Sequence, residues 1–143
     1  MSNTQFAFIE KSEVPGQEAL QSAIDELGFD LRVSPKFAPF KDSGFVPFTL
    51  KGETGPGFEI FYEDAAEISG ADAALKTLAG GKDYCISMIW GGSMKDLACV
   101  LIVSCALAKA FGAVVSYEGE APMPLPALIE ATETILKLVA SEA

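Results

Sequence analysis

The sequence predicts a single-domain α/β chain of the α+β kind, with a mixed, largely antiparallel sheet packed with helices and containing one βαβ unit. Three observations predict it. Residues 45–51 and 58–63 alternate apolar and polar side chains on either side of Gly52-Glu53-Thr54-Gly55-Pro56-Gly57, the pattern of a hairpin. Residues 84–117 run apolar strand, Gly-Gly turn, apolar helix and second strand, so the two strands are expected as parallel neighbours joined by a right-handed crossover. Amphipathic helical spacing appears near both ends of the chain. At 143 residues the expectation is one domain spanning 1–143, large enough to bury a core without disulfides or metal.

Each element has its own warrant. In residues 17–27, Leu20, Ala23, Ile24 and Leu27 fall on one helical face, with Pro15 and Gly16 before them and Gly28 after. Residues 29–33 read as a short strand. Residues 34–44 hold two prolines, a glycine, Phe37 and Phe40, the composition of an ordered loop. In 45–51, Val46, Phe48 and Leu50 face one way and Phe45, Pro47 and Thr49 the other. Pro47 has no N–H to give to a ladder, which places this strand at an edge or at a bulge. In 58–63, Phe58, Ile60 and Tyr62 oppose Glu59, Phe61 and Glu63.

Residues 64–80 are partly helical, with Ala74, Leu75 and Leu78 as the apolar side and Gly80-Gly81 as the stop. The helix that follows Trp90-Gly91-Gly92-Ser93 is apolar almost all round. It is expected under the sheet on one side and under other helices, or a second subunit, on the other. Its apolar stretch is about a dozen residues, against the ~20 needed to span a bilayer. The last helix, from about 126 to 141, carries Leu128, Ile129, Thr132, Ile135, Leu136 and Val139 as one stripe. Pro122, Pro124 and Pro126 suit an extended approach to it.

Composition narrows the function. Twenty acidic residues face ten basic ones, for a formal charge of -10 and a pI near 4.3. Such a chain is not expected to bind nucleic acid or anionic membrane, and it favours basic partners through electrostatic steering. There is no histidine, which removes the commonest general base and the usual catalytic triads. Cys85, Cys99 and Cys105 are odd in number, match no metal spacing and sit in apolar runs, so they read as buried free thiols of a reducing compartment. The N-terminal residues carry no signal-peptide pattern. A cytoplasmic, non-enzymatic protein with no catalytic residue, metal or cofactor is the expectation.

Several residues could still form a site. Gly91, Gly92 and Ser93 join strand to helix, where backbone amides can hold an anion, with Lys95 close by. The plainer reading is that Ser93 caps the helix together with Asp96, a variant of the capping box. The carboxylates Glu63, Asp64, Glu67 and Asp72, and the pair Glu118 and Glu120, read as solvated faces of an acidic chain. Ser87, Ser104 and Ser116 lie in core elements, outside any nucleophile elbow. Phe61 shares its strand face with Glu59 and Glu63. Either the strand is covered on both faces, with Phe61 under a helix, or Phe61 anchors an interface with an acidic rim.

The run Ile86-Ser87-Met88-Ile89-Trp90-Gly91-Gly92, the helix to Phe111 and Gly112-Ala113-Val114-Val115 together resemble small bacterial immunity-type proteins, the partners of secreted polymorphic or type VI toxins. The resemblance covers about a third of the chain and includes no catalytic motif. It implies a cytoplasmic protein that blocks a cognate toxin. On the residues themselves, the surface expected to cover a basic cleft is Glu59, Glu63, Asp64 and Glu67 around Phe61, with carboxylates standing in for phosphates. Two alternatives stay open. One is a homo-oligomeric scaffold, such as a homodimer, packed through the helix at 97–111. The other is a small-molecule domain using the turn at 90–93.

Overall fold

The computed structural model describes residues 3–41 and 43–141. Its elements are β1 (Asn3–Ile9), α1 (Gln17–Leu27), β2 (Leu31–Arg32), β3 (Gly44–Leu50), β4 (Glu53–Asp64), α2 (Ala65–Ser69), α3 (Ala73–Ala79), β5 (Tyr84–Trp90), α4 (Met94–Phe111), β6 (Val114–Tyr117) and α5 (Leu125–Ser141). Six strands form one sheet in the order β2-β3-β4-β5-β1-β6. Every neighbouring pair in it is antiparallel. The α+β class and the hairpin of β3 and β4 are as the sequence reading has them.

The crossover differs from expectation in one respect. β5 and β6 do run in the same direction, but they are not neighbours: β1 lies between them, antiparallel to both. The sheet is therefore antiparallel throughout, and α4 carries the chain across one intervening strand. The sequence reading assigned no strand to residues 3–9. Gln5, Ala7 and Ile9 are buried on one face and Phe8 on the other, so β1 behaves as a central strand sealed on both sides. Such a strand lacks a clean polar–apolar alternation, and no turn marker precedes it.

One face of the sheet carries the main core. Phe58 and Ile60 of β4, Ile86, Met88 and Trp90 of β5, and Ala7 and Ile9 of β1 meet α4 there. α1 and α5 pack on α4 from outside, and residues 98–107 are buried as a result. The chain's own elements cover this stretch of α4. The polar groups buried with it are satisfied. Ser104 Oγ donates to Val100 O at 2.7 Å and accepts from Gln5 Nε2 at 2.8 Å. Thr132 Oγ1 donates to Leu128 O at 2.7 Å and lies 3.3 Å from Cys105 Sγ. Leaving such a group unpaired costs about 1–3 kcal/mol.

The other face is covered over only part of its width. α2 and α3 pack against Phe8, Cys85 and Val114 through Ile68, Leu75, Leu78 and Ala79. Ala74, expected on the apolar side of α3, is exposed. The helix begins at Asp72, whose carboxylate caps the Ala74 and Leu75 amides, and that start turns Leu75, Leu78 and Ala79 to the sheet instead.

A bulge links the two layers. The β3–β4 register shifts between Pro47 and Thr49, beside the proline that cannot donate. Gly57, opposite Pro47, gives its N–H to Asp96 Oδ1 at 3.0 Å, which ties the first turn of α4 to the hairpin. A Cβ at Gly57 would run into the Val46 carbonyl oxygen. Gly57→Ala is thus expected to destabilise the fold by about 2–3 kcal/mol in urea denaturation, whereas Gly16→Ala, where a Cβ meets nothing, should shift the midpoint little.

Candidate functional site

The strand registers decide which of the singled-out residues share a surface. Phe45 pairs with Glu59, Glu59 with Ile89, and Ile89 with Thr4. Directly paired residues of antiparallel strands point the same way, so this row lies on the face opposite the main core. Phe61, Ser87 and Phe6 form the next row, and Glu63, Cys85 and Phe8 the third. α2 and α3 cover Phe8 and Cys85 of the third row and reach Phe6. The first row and Phe61 lie beyond their reach. Phe45 is 57% exposed, Glu59 is exposed, and Phe61, Glu63 and Ile89 are half-buried.

The structure thus brings Glu59, Phe61 and Glu63 onto one face, as the alternation requires. Phe61 is neither sealed beneath a helix nor fully open. Asp64 lies at the end of β4 and begins α2, and Glu67 sits in the first turn of that helix. Both are exposed. Glu63, Asp64 and Glu67 gather near Tyr84: burial pushes its phenol pKa up, and the charges of Asp64, Glu63 and Glu67 push it further. Lys11 is the cation at this end, with its Nζ 5.2 Å from the Tyr84 ring centre and 5.8 Å from that of Phe40. By the same register Asp64, Tyr84 and Ile9 form a row on the main-core face, so Asp64, expected around Phe61, instead stands with Tyr84, Phe40 and Lys11 across the sheet from Phe45 and Phe61.

The turn Gly91-Gly92-Ser93 is exposed. Ser93 Oγ accepts from the Asp96 N–H at 3.4 Å, the capping contact expected. The second half of the capping box is altered, because the Asp96 carboxylate reaches across to Gly57. Lys95 pairs with Glu53 at 2.8 Å. The Asp96 amide and the Lys95 ammonium thus have structural partners. Alongside the turn lies a cavity of about 900 Å³ between α4, α5 and the Asn3–Trp90–Tyr117 end of the sheet, on the main-core side.

The remaining candidates lie elsewhere in the fold. Among the described residues, no three His, Cys, Asp or Glu side chains gather where they could hold a metal ion. Glu118 Oε1 accepts from the Thr4 N–H at 3.2 Å. Ser116 Oγ donates to Glu120 O at 2.6 Å, and Ser87 is buried next to Cys85. No helix among the described residues is long and apolar enough to cross a membrane. Compared with protein-family models, curated proteins and solved structures, the chain matches none.

Two features escape the sequence reading. Alternation sets Phe45 opposite Val46, Phe48 and Leu50, but only the β3–β4 register places it beside Glu59. The cavity draws its lining from six separate parts of the chain, and no local pattern announces such a surface.

The cysteines are buried and free. Burial pushes Cys85 and Cys99 from the ordinary 9.0 up to about 12, and it raises Cys105 as well. Below pH 9.0 these thiols are protonated whether the chain is folded or unfolded. Above it the unfolded chain releases protons that the folded chain retains, so stability falls as pH rises towards about 12. The loss is about 1.4 kcal/mol per pH unit for each thiol. Urea midpoints should therefore decline from pH 9.0 upwards, and the Cys85→Ala/Cys99→Ala variant should decline less steeply. Thiol-reactive reagents should modify all three cysteines only after unfolding.

Proposed function

We propose that this chain is a non-enzymatic binding protein that docks a basic protein partner on the uncovered face of its sheet. The observation that carries the reading is the row of Phe45 and Glu59 beside Phe61, left outside the cover of α2 and α3. An exposed and a half-buried aromatic that share a sheet face with carboxylates match the make-up of an interface: desolvated rings at the centre, charges at the rim. Phe45 and Phe61 are the anchors. Glu59 and Glu63 supply the rim on that face, with Asp64 and Glu67 at its margin where β4 passes into α2, and the net charge of -10 steers a basic surface towards it. An immunity protein covering the basic cleft of a toxin is the finer form of this reading. There the carboxylates would occupy the places of substrate phosphates, as the motif at 86–115 suggests.

The chain immobilised on a support is expected to retain a basic protein from a lysate of its source cells. It should release that protein as ionic strength rises past ~0.15 M, where the Debye length shrinks to ~8 Å. Phe45→Ala, Phe61→Ala and Glu63→Lys should each weaken capture by about tenfold or more while leaving the circular dichroism spectrum unchanged. Capture that ignores salt and survives both Phe61→Ala and Glu63→Lys would remove this surface from consideration.

A further inference from the structure

The cavity beside α5 is a second and independent feature, on the opposite side of the sheet from Phe45 and Phe61. Its volume of about 900 Å³ lies within the ~300–1,000 Å³ of clefts that bury small organic ligands. Trp90 and Tyr117, with ring centres 5.9 Å apart, contribute to one wall. Leu97 and Leu101 of α4 and Ala131 and Ile135 of α5 contribute others. Secondary structure holds these walls. The segment after β6 is pinned by Met123 N donating to Val115 O at 2.9 Å and by Glu120 N donating to Tyr117 O at 2.8 Å. Ile135 belongs to the apolar stripe of α5, yet it stays half-buried because it faces this space.

The polar groups of the cavity define what it would accept. Gln5 is 2% exposed and contributes to the lining. The Ser104 hydroxyl hydrogen is spent on Val100 O, so towards Gln5 that oxygen can only accept. Gln5 therefore turns its NH₂ to Ser104, which leaves its carbonyl oxygen as an acceptor. Asn3 uses its Oδ1 to accept from the Tyr117 hydroxyl at 2.9 Å. Glu120 and Glu130 add two carboxylates, and among the described residues the lining holds no lysine or arginine. An anionic head group would meet like charge there, and an ammonium group would meet opposite charge.

We propose that this cavity binds a small amphiphilic amine, with its apolar body against Trp90, Leu101 and Ile135 and its ammonium group towards Glu120 and Glu130. Trp90 is the only tryptophan of the chain, so the protein carries its own reporter at the site. The test titrates the whole chain with n-decylammonium, n-decanol and n-decanoate below their micelle concentrations, following Trp90 emission and binding heat.

Decylammonium is expected to give a saturable change and to bind about tenfold or more tightly than decanoate, a difference of ~1.4 kcal/mol. Glu120→Gln/Glu130→Gln should erase that preference while leaving decanol binding intact. Ala131→Phe, or Ala127→Leu if the first does not fold, should abolish binding of all three. The proposal is overturned if no ligand gives a saturable response or if decanoate binds as well as decylammonium. It is equally overturned if the preference falls as much in Glu18→Gln, on the distant helix α1, as in the double variant, since the overall charge would then explain it.

Discussion

The helix α4 sets the terms for the rest of the molecule. Residues 98–107 present apolar side chains on every side, so a sheet beneath is not enough to bury them and further cover is needed at both flanks. α1 and α5 provide it. The single hydroxyl in the middle of this run, Ser104, would be a liability if left alone. It is answered by a carbonyl of its own helix and by Gln5 on β1. That bond fixes the height of β1 beneath α4, and β1 in turn sets the register of β5 and β6 on either side of it. A central strand and a buried helix thus position one another through one polar contact set in an apolar layer.

Much of this was legible in the chain, and what was not has identifiable physical causes. Helices with a stripe, such as Leu20, Ala23 and Ile24 in α1, and strands with alternation, such as Val46, Phe48 and Leu50 in β3, could be read from spacing alone. The bulge at Pro47 could be read from a missing N–H. β1 could not, because a strand buried on both faces loses the period that identifies it. Without β1, the parallel strands β5 and β6 appear to be neighbours. For the candidate surface, alternation placed Glu59, Phe61 and Glu63 together, whereas the contribution of Phe45 depends on a pairing between strands. The cavity depends on five elements and a loop meeting at one end of the sheet, information that exists only in three dimensions.

The two proposed surfaces use the two sides of one sheet, and each follows from how that side is covered. α2 and α3 are short, five and seven residues, and too small to roof the face they sit on, which leaves Phe45 and Phe61 in reach of a partner. On the other side α5 packs onto α4 through Leu128 and Thr132, and the space it leaves over Trp90 and Tyr117 becomes a cavity. Both surfaces are bordered by carboxylates, as befits a chain with twice as many acids as bases.

The outer strands carry a different consequence. β2 is two residues long and pairs only with Leu50 and Thr49, while β6 is four residues long and ends in a turn at Glu118 and Gly119. Pro47 removes a further donor from β3. A sheet whose borders are this short and interrupted is a poor template for another strand. The chain can therefore display phenylalanines on an open sheet surface with little invitation to fibril growth along its margins, and a partner at the proposed surface would lie across the strands rather than extend the ladder.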